Sequence, residues 1–423
     1  MLKVVRPPIA SLLCSGLMFA WNASGQANPA AKAMCAQVPG IAAELAKISG
    51  MALKKPVPCD FITKDEINKF LKKRVKESSK PEELRAEELT LKKFGLIPQD
   101  FNLAQNEVDL LTEQAAAFYD YNRKKLFITD STSTESQAPV LAHELSHALA
   151  DQNYNLSRFI KEGRKSDDGS TARLAVMEGQ ATWMMSEYVA RKSGQSLRDS
   201  PALAANMSNF GSDEEPAEGA KSDGEFPVFD NQPLYLRRSL VFPYSKGMQF
   251  QHAVLQRDPQ RGFGEVFLHP PASTQQVIHP DKYFEGVKPT TPALPEVKLP
   301  KGFKGLVGGQ LGELEQGILL EQYVGKTRSI ELSAHWRGCT FQLDENKKLG
   351  RVVLRYSTEW DSEDSARLYF AAYQQVMKKK WKSMTVSSED PDVILGSGDD
   401  GRFELRRKGV LVTSVEGLAP AIN

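Results

Sequence analysis

The sequence has no excess of charge of either sign. Lys and Arg number 54 and Asp and Glu number 53, which gives a formal net charge of +1. Lys378–Lys380 with Lys382 form the only basic cluster, and so short a cluster is typical of a solvated helix end. Because nucleic-acid binding relies on a broad basic surface, we expect no nucleic-acid partner.

Long hydrophobic runs are also missing, except near the start. Lys3 and Arg6 precede an apolar run from Ile9 to Trp21, and small residues follow it. This order is typical of a secretory signal peptide, and the run is too short to span a bilayer comfortably. We predict a signal peptide over 1–27, export to the periplasm or the extracellular space, and no membrane span after cleavage.

Cysteine is scarce, with four in 423 residues. Cys14 lies in the predicted signal peptide, so three cysteines remain after cleavage. Since export permits disulfide bonds, we expect Cys35 to pair with Cys59 and Cys339 to be buried and unpaired. None of the spacings is typical of a cysteine zinc site.

Signatures of other enzyme classes are absent too. Ser146 and Ser245 lack the nucleophile-elbow context of serine hydrolases, and Gly308-Gly309 begins no phosphate-binding loop. The chemistry that remains is concentrated in the segment from Pro139 to Asn153.

Residues 143–147 contain the pattern His-Glu-x-x-His, which is typical of a zinc hydrolase helix. Residues four apart lie on one face of a helix, so His143 and His147 can direct ring nitrogens to one ion. Glu144 lies about 100° further round the helix, which suits a base that acts on metal-activated water. Because roughly one unrelated chain of this length in a hundred has the pattern by chance, a third ligand is needed to support it.

Glu178 is the candidate third ligand. Residues 170–190 are predicted to form a helix, with Asp168 or Ser170 as the N-cap. A lone carboxylate among Val, Met, Gly and Ala is unusual, since carboxylates are rarely buried unless paired. The small Gly179 would let this helix approach the histidine helix closely. Two histidines, a downstream glutamate and an open fourth position are typical of catalytic zinc; the alternative is a solvated glutamate.

The histidine motif followed by Glu178 on a second helix resembles the gluzincin, or thermolysin-like, metallopeptidases. Four segments are also similar to a group of little-characterised exported bacterial proteins regarded as zinc metallopeptidases: Leu145–Gln152, Glu178–Thr182, Pro270–Thr274 and His279–Tyr283. The resemblance covers about 85–290. It implies one bound Zn²⁺ and a protein or peptide substrate, without identifying that substrate.

The resemblance also implies further roles. Family members place a Tyr, His or Arg downstream of the glutamate ligand as an oxyanion donor, and the choices here are His279, Tyr244 and Tyr283. We predict His279, with a purely structural histidine as the alternative. Thermolysin-like enzymes have an Asp one turn after the glutamate ligand to orient a histidine, but Thr182 stands there in this chain. Asp151 is left either to replace that Asp or to cap the end of its helix.

Residues 118–128 place a polar turn between aromatic and apolar arms, which predicts a β-hairpin. In gluzincins the strand just before the zinc helix is a sheet edge that pairs with extended substrate. The resemblance extends that role to this hairpin, and an ordinary hairpin is the alternative.

Length permits two or three domains, and the hydrophobic content of 41% is that of a globular protein. We predict the α+β class: a mainly helical gluzincin-like core with a small edge sheet, and a C-terminal α+β domain of two strands, a helix and two strands. The predicted units are an N-terminal helical arm (28–100) that is loosely packed over 28–60, a catalytic domain (101–300) with a flexible insertion (192–233), a Gly-rich linker (305–312) and the C-terminal domain (313–423).

These patterns together predict an exported zinc-dependent metallopeptidase with Glu144 as general base. The alternative is a non-catalytic exported zinc-containing binding or assembly factor that acts through 313–423. The presence of Glu144 favours the enzyme, because a purely structural zinc site needs no base.

Overall fold

The computed structural model describes residues 2–3, 29–63, 65–70, 73, 80–114, 117–129, 137–208 and 227–419. The predicted signal peptide lies outside these ranges apart from residues 2–3, and so does 209–226 of the predicted insertion. In the described ranges no helix combines the length and the apolar character needed to span a bilayer.

The fold is α+β, with most helices before residue 300 and most strands after it. The helices are α1 (Pro29–Ser49), α2 (Pro81–Phe94), α3 (Leu103–Gln114), α4 (Gln137–Tyr154), α5 (Leu156–Gly163), α6 (Asp167–Lys192), α7 (Pro201–Ser208), α8 (Pro227–Asp230), α9 (Leu234–Arg257), α10 (Gly262–Leu268), α11 (Thr274–Ile278), α12 (Pro280–Phe284), α13 (Glu313–Val324), α14 (Lys326–Ser333) and α15 (Glu363–Lys380). The strands are β1 (Leu2–Lys3), β2 (Cys59–Ile62), β3 (Ala117–Asp120), β4 (Lys125–Thr129), β5 (Lys304–Gly309), β6 (Trp336–Asn346), β7 (Arg351–Trp360), β8 (Met384–Asp390), β9 (Val393–Gly398), β10 (Gly401–Lys408) and β11 (Leu411–Leu418).

The N-terminal region is not a loosely packed arm, so that prediction is wrong. Val38, Ile41 and Leu45 on one face of α1 are buried in a core shared with α4. The predicted disulfide between Cys35 and Cys59 is confirmed, with the two Cα atoms 5.7 Å apart. It ties α1 to β2, beside the histidine motif.

The predicted hairpin is confirmed and lies in a three-stranded sheet. β3 and β4 are antiparallel and joined by a turn over 121–124, and β2 pairs in parallel with the other side of β4. The strand order is β2-β4-β3, so β3 is an edge strand. The β3 edge lies against α4, because the N–H of Tyr119 donates to Glu144 and its hydroxyl donates to Asp151.

α6 is the central helix of the first domain. It begins at Asp167, because Ser166 is the N-cap and accepts a hydrogen bond from Gly169 N–H. The predicted caps Asp168 and Ser170, two and four residues later, are therefore wrong. Gly179 packs against α9 rather than α4, which corrects its predicted role. A Cβ at Gly179 would lie 2.0 Å from the carbonyl carbon of Gly247, so only glycine permits this approach.

The predicted flexible insertion is ordered over 192–208, the first of its two described parts. Leu197 is fully buried and its N–H donates to Glu187, whose carboxylate also accepts a hydrogen bond from Ser196. Helix α7 then packs against α9. The prediction of flexibility is therefore wrong for 192–208, where buried polar contacts anchor the chain.

The C-terminal domain is a large sheet covered by α13, α14 and α15. The strand order is β1-β5-β6-β7-β11-β10-β9-β8, and every pairing from β5 to β8 is antiparallel. The four predicted strands and the predicted helix are present, but β5, β8 and β9 were missed. The predicted Gly-rich linker is wrong, since Lys304–Gly309 pairs with β6.

Helix α2 packs on this sheet rather than on an N-terminal unit. The ring of Phe94 lies 5.5 Å from that of Phe341 and 5.2 Å from that of Tyr356. The hydroxyl of Tyr323 on α13 donates to the carbonyl of Gly95, the left-handed residue that ends α2. The helix is distant from the sheet in sequence, so the predicted domain boundaries do not describe the packing.

Buried polar contacts join the two domains where the N-termini of α6 and α13 meet. Asp168 Oδ1 accepts hydrogen bonds from the N–H and the hydroxyl of Thr274, and that hydroxyl accepts the N–H of Leu314. Nearby, His279 Nε2 lies 2.7 Å from the buried carboxylate of Glu313. The Pro-bounded segment that resembles the exported bacterial proteins therefore docks the C-terminal domain on α6.

This junction gathers buried carboxyl groups, and their pKa values predict a pH dependence. Burial raises the pKa of Asp168 to about 6 and that of Glu315 to about 7. The charge of Glu313 adds to the rise at Asp168, and the charge of Asp168 adds to the rise at Glu315. The folded protein therefore keeps protons that the unfolded chain loses near pH 4. The free energy of unfolding should fall by on the order of 5 kcal/mol as the pH rises from 4 to 8.

Denaturant unfolding at a series of pH values checks this. Asp168→Asn and Glu315→Gln should flatten the fall, whereas Asp364→Asn, at a carboxylate that is 85% exposed, should leave it unchanged. Parallel pH curves for all three variants would contradict the prediction.

Candidate metal centre

Helix α4 presents the two histidines on one face. Leu141, Leu145 and Leu149 are buried on the other side, which fixes the rotation of the helix. The Nε2 atoms of His143 and His147 then lie 3.2 Å apart. The spacing of four residues therefore brings both rings to one point, as the sequence pattern predicts.

Helix α6 brings Glu178 to the same point. Its Oε2 lies 3.1 Å from Nε2 of His143 and 3.3 Å from Nε2 of His147. Only 2% of Glu178 is exposed, so the alternative of a solvated glutamate is wrong. Thirty-five residues separate Glu178 from His143, and only the packing of α4 against α6 unites them.

The three donor atoms have the spacing that a tetrahedral ion requires. Ligand atoms about 2.1 Å from such an ion are about 3.4 Å apart, and the measured separations are 3.1 to 3.3 Å. Nitrogen and carboxylate donors in this ratio are those of catalytic zinc sites. The residues present therefore fit a single metal ion.

The neighbouring histidines keep the carboxylate of Glu178 ionised. Burial alone would raise the pKa of Glu178, but His147 and His143 hold it well below its ordinary value. Burial lowers the pKa of His147, and the charge of Glu178 outweighs this and raises it. A buried carboxylate that stays ionised offers a full negative charge to a metal.

Glu144 lies beside the two histidines. One of its oxygens and the histidine ring nitrogens all lie within 4.8 Å of one another. Its Oε2 accepts a hydrogen bond of 2.7 Å from the backbone N–H of Tyr119 in β3. Burial raises the pKa of Glu144, as does the charge of Glu178, while the histidines and the Tyr119 N–H act in the opposite direction.

The candidate oxyanion donors lie in different places. The ring of Tyr244 on α9 stacks on His143, with centroids 5.9 Å apart. His279 pairs with Glu313 and lines a cavity of about 380 Å³ whose lining includes none of the metal-site residues. The hydroxyl of Tyr283 donates to the carbonyl of His269, and burial raises the pKa of Tyr283 to about 12.

The sequence left the orientation of the histidines open. Thr182 is buried, and its hydroxyl has no hydrogen-bond partner among the described residues. Asp151 accepts hydrogen bonds from the hydroxyl of Tyr119, from Lys124 Nζ and from the N–H of Leu156. Neither residue therefore replaces the Asp of thermolysin-like enzymes.

Sequence reasoning missed the part that Tyr119 plays at this site. The hairpin was recognised, but the edge strand is β3 and not β4, the strand just before α4. The Tyr119 contact was missed because a backbone N–H leaves no signal in the residue type. The helical spacing of Glu144 and Asp151, seven residues apart, is the one clue that two points on α4 could face the same strand.

Comparison with known proteins gives a match only for the C-terminal domain. The sequence model of one family, described as a domain of unknown function (DUF8575), matches residues 304–422. No curated protein and no solved structure matches the chain. The family match begins at β5, so it coincides with the observed sheet and leaves the metal-site residues outside it.

Glu178→Gln should weaken metal binding while preserving the size of the side chain. Changes in the residues behind metal ligands already cost about 10- to 100-fold in affinity, so loss of a ligand charge should cost roughly 100-fold or more. Competition of the full chain with a zinc chelator measures this. Glu162→Gln, at an exposed carboxylate, is the control, and equal affinities for the two variants would contradict the assignment.

Proposed function

We propose that the protein is an exported zinc-dependent metallopeptidase that hydrolyses peptide bonds in protein or peptide substrates. One observation carries the proposal: His143 and His147 on α4 converge with Glu178 on α6, and Glu144 lies beside them. Two histidines, a glutamate and a neighbouring unliganded glutamate form the residue set of a catalytic rather than a structural zinc site. The gluzincin resemblance is consistent with this arrangement.

Three side chains would bind the metal ion, and a fourth would transfer the proton. His143, His147 and Glu178 would hold one Zn²⁺, which when bound supplies Lewis acidity and lowers the pKa of water. Glu144 removes the proton from the attacking water and delivers it to the departing amine. Burial raises the pKa of Glu144, and a more basic carboxylate is the better proton acceptor.

Tyr244 is the better-placed oxyanion donor. Its ring lies against a ligand histidine, whereas His279 is engaged by Glu313 at the domain junction. A phenol can donate a hydrogen bond to the oxygen on which charge develops. We therefore assign the donor role to Tyr244 in this proposal and a structural role to His279.

An extended peptide fits the edge beside Glu144. Because the N–H of Tyr119 points away from β4, the alternation of an antiparallel ladder directs the Tyr119 carbonyl and the backbone groups of Ala117 to the same edge. A peptide added there as a strand would gain backbone hydrogen bonds without a sequence requirement. This supports a peptide rather than a small-molecule substrate.

Export has support beyond the N-terminal pattern. The Cys35–Cys59 disulfide is typical of proteins that fold outside the reducing cytosol. It closes the segment that packs α1 against α4, so an oxidising compartment would stabilise the region that carries the metal site.

Glu144→Gln should abolish hydrolysis and leave zinc binding intact, because Glu144 acts on the proton and is not a ligand. General-base removal typically costs about 10²- to 10⁴-fold in rate. Cleavage of a denatured protein and of a peptide library by the full chain, together with metal content, measures both effects. If both proteins bind zinc and neither cleaves, the non-catalytic binding or assembly factor is the correct function.

Tyr244→Phe should lower kcat by about 10²- to 10³-fold, since one oxyanion donor is worth that much. KM and zinc content should change little, because the ring that stacks on His143 is kept. His279→Asn is the matched comparison and should retain kcat. The opposite result, with the His279 variant inactive and the Tyr244 variant active, would return the donor role to His279.

A further inference from the structure

The orientation of Glu144 depends on a backbone group of another element. The N–H of Tyr119 lies 2.7 Å from Oε2 of Glu144. A backbone N–H has no rotatable bond of its own, so its position is that of strand β3. Whatever holds β3 in place therefore also holds the Glu144 carboxylate.

β3 is weakly supported by its sheet. It is four residues long, and among the strands that the structure describes only β4 pairs with it. Short edge strands with a single neighbour are marginal elements. A second attachment is needed to hold the Tyr119 N–H at one place.

Asp151 provides that attachment. The hydroxyl of Tyr119 donates to Asp151 Oδ2 at 2.9 Å, and Lys124 Nζ in the hairpin turn lies 2.6 Å from the same oxygen. Oδ1 accepts the N–H of Leu156 at 3.0 Å. The Asp151 side chain has no exposure, so its carboxylate is shielded from water and three hydrogen bonds hold it in one orientation.

Tyr119 makes both contacts, and both of its partners, Glu144 and Asp151, lie on α4. Asp151 follows Glu144 by seven residues, which is about two turns of α4. Tyr119 spans these turns, with its N–H at Glu144 and its hydroxyl at Asp151. A rigid aromatic side chain with one polar tip is suited to such a link.

We propose that Tyr119 and Asp151 are positioning residues, in which the buried hydroxyl–carboxylate contact fixes β3 so that the Tyr119 N–H holds Glu144 toward the metal site. The inference rests on the proposed function for its effect on rate. The structural part of the proposal, that this contact fixes the Tyr119 N–H, depends neither on catalysis nor on a bound metal.

Tyr119→Phe tests the proposal in the full chain, because it keeps the ring and removes the hydroxyl. Amide hydrogen exchange of the segment 117–124, measured with and without zinc, should become about 10-fold faster. For the zinc-loaded protein, kcat on peptides should fall about 10- to 100-fold, with KM and zinc stoichiometry unchanged.

Two further variants sharpen the test. Tyr154→Phe removes the hydroxyl of a tyrosine in α4, and both exchange and kcat should match the wild type. Asp151→Asn should act in the same direction as Tyr119→Phe, and the double variant should be no worse than the more affected single variant, since both break one contact.

Several outcomes would overturn the proposal. Wild-type exchange over 117–124 in Tyr119→Phe would show that the contact does not hold the strand. Additive effects in the double variant, or a rate loss that tracks zinc loss, would show separate structural roles. If wild type cleaves no peptide, the proposed function fails, and the exchange measurement still decides whether Tyr119 is fixed by Asp151.

Discussion

The contact of one buried carboxylate with two imidazoles is the constraint on which the rest of the molecule depends. Glu178 lies 3.1 and 3.3 Å from the ring nitrogens of His143 and His147. A buried charge is costly unless it is paired, so α4 and α6 must keep these groups together whenever the protein is folded. The same three side chains define where a cation would bind, so the site exists only because α4 packs against α6.

The other contacts of α6 serve the same arrangement. Gly179, next to Glu178, lets α9 approach so closely that a methyl group would overlap the carbonyl carbon of Gly247. That approach carries Tyr244 to the face of His143. At its N-terminus, α6 meets the C-terminal domain through Asp168 and Thr274. One helix thus connects the metal-site glutamate, the candidate donor and the domain junction.

The C-terminal domain is integrated into the fold rather than attached by a linker. Its sheet shares a core with α2, and the segment from Thr274 to His279 connects it to α6. A domain held by buried contacts at this place can affect the metal site through the position of α6. The family match to this domain assigns no activity, and its packing suggests a supporting role toward the first domain.

Local pattern was sufficient for some features of the protein. The histidines, Glu144, the hairpin and the disulfide were predictable, because helical spacing, turn chemistry and export each leave a short-range signal. Glu178 was identified by its apolar neighbours, although its distance from the histidines was not. Flexibility over 192–208 and a linker over 305–312 were predicted from Gly-rich and polar composition, which does not report buried partners such as Glu187 or β6.

The sequence by itself determined which residue types were available for the site and which of them lie on one helix face. Only the tertiary structure decided that Tyr244, rather than His279, lies against His143. It also decided that the backbone N–H of Tyr119 in β3 donates to Glu144. The physical reason is that these contacts join residues far apart in the chain, or use backbone groups that every residue possesses. Their existence depends on how helices and strands pack, and no local pattern encodes that packing.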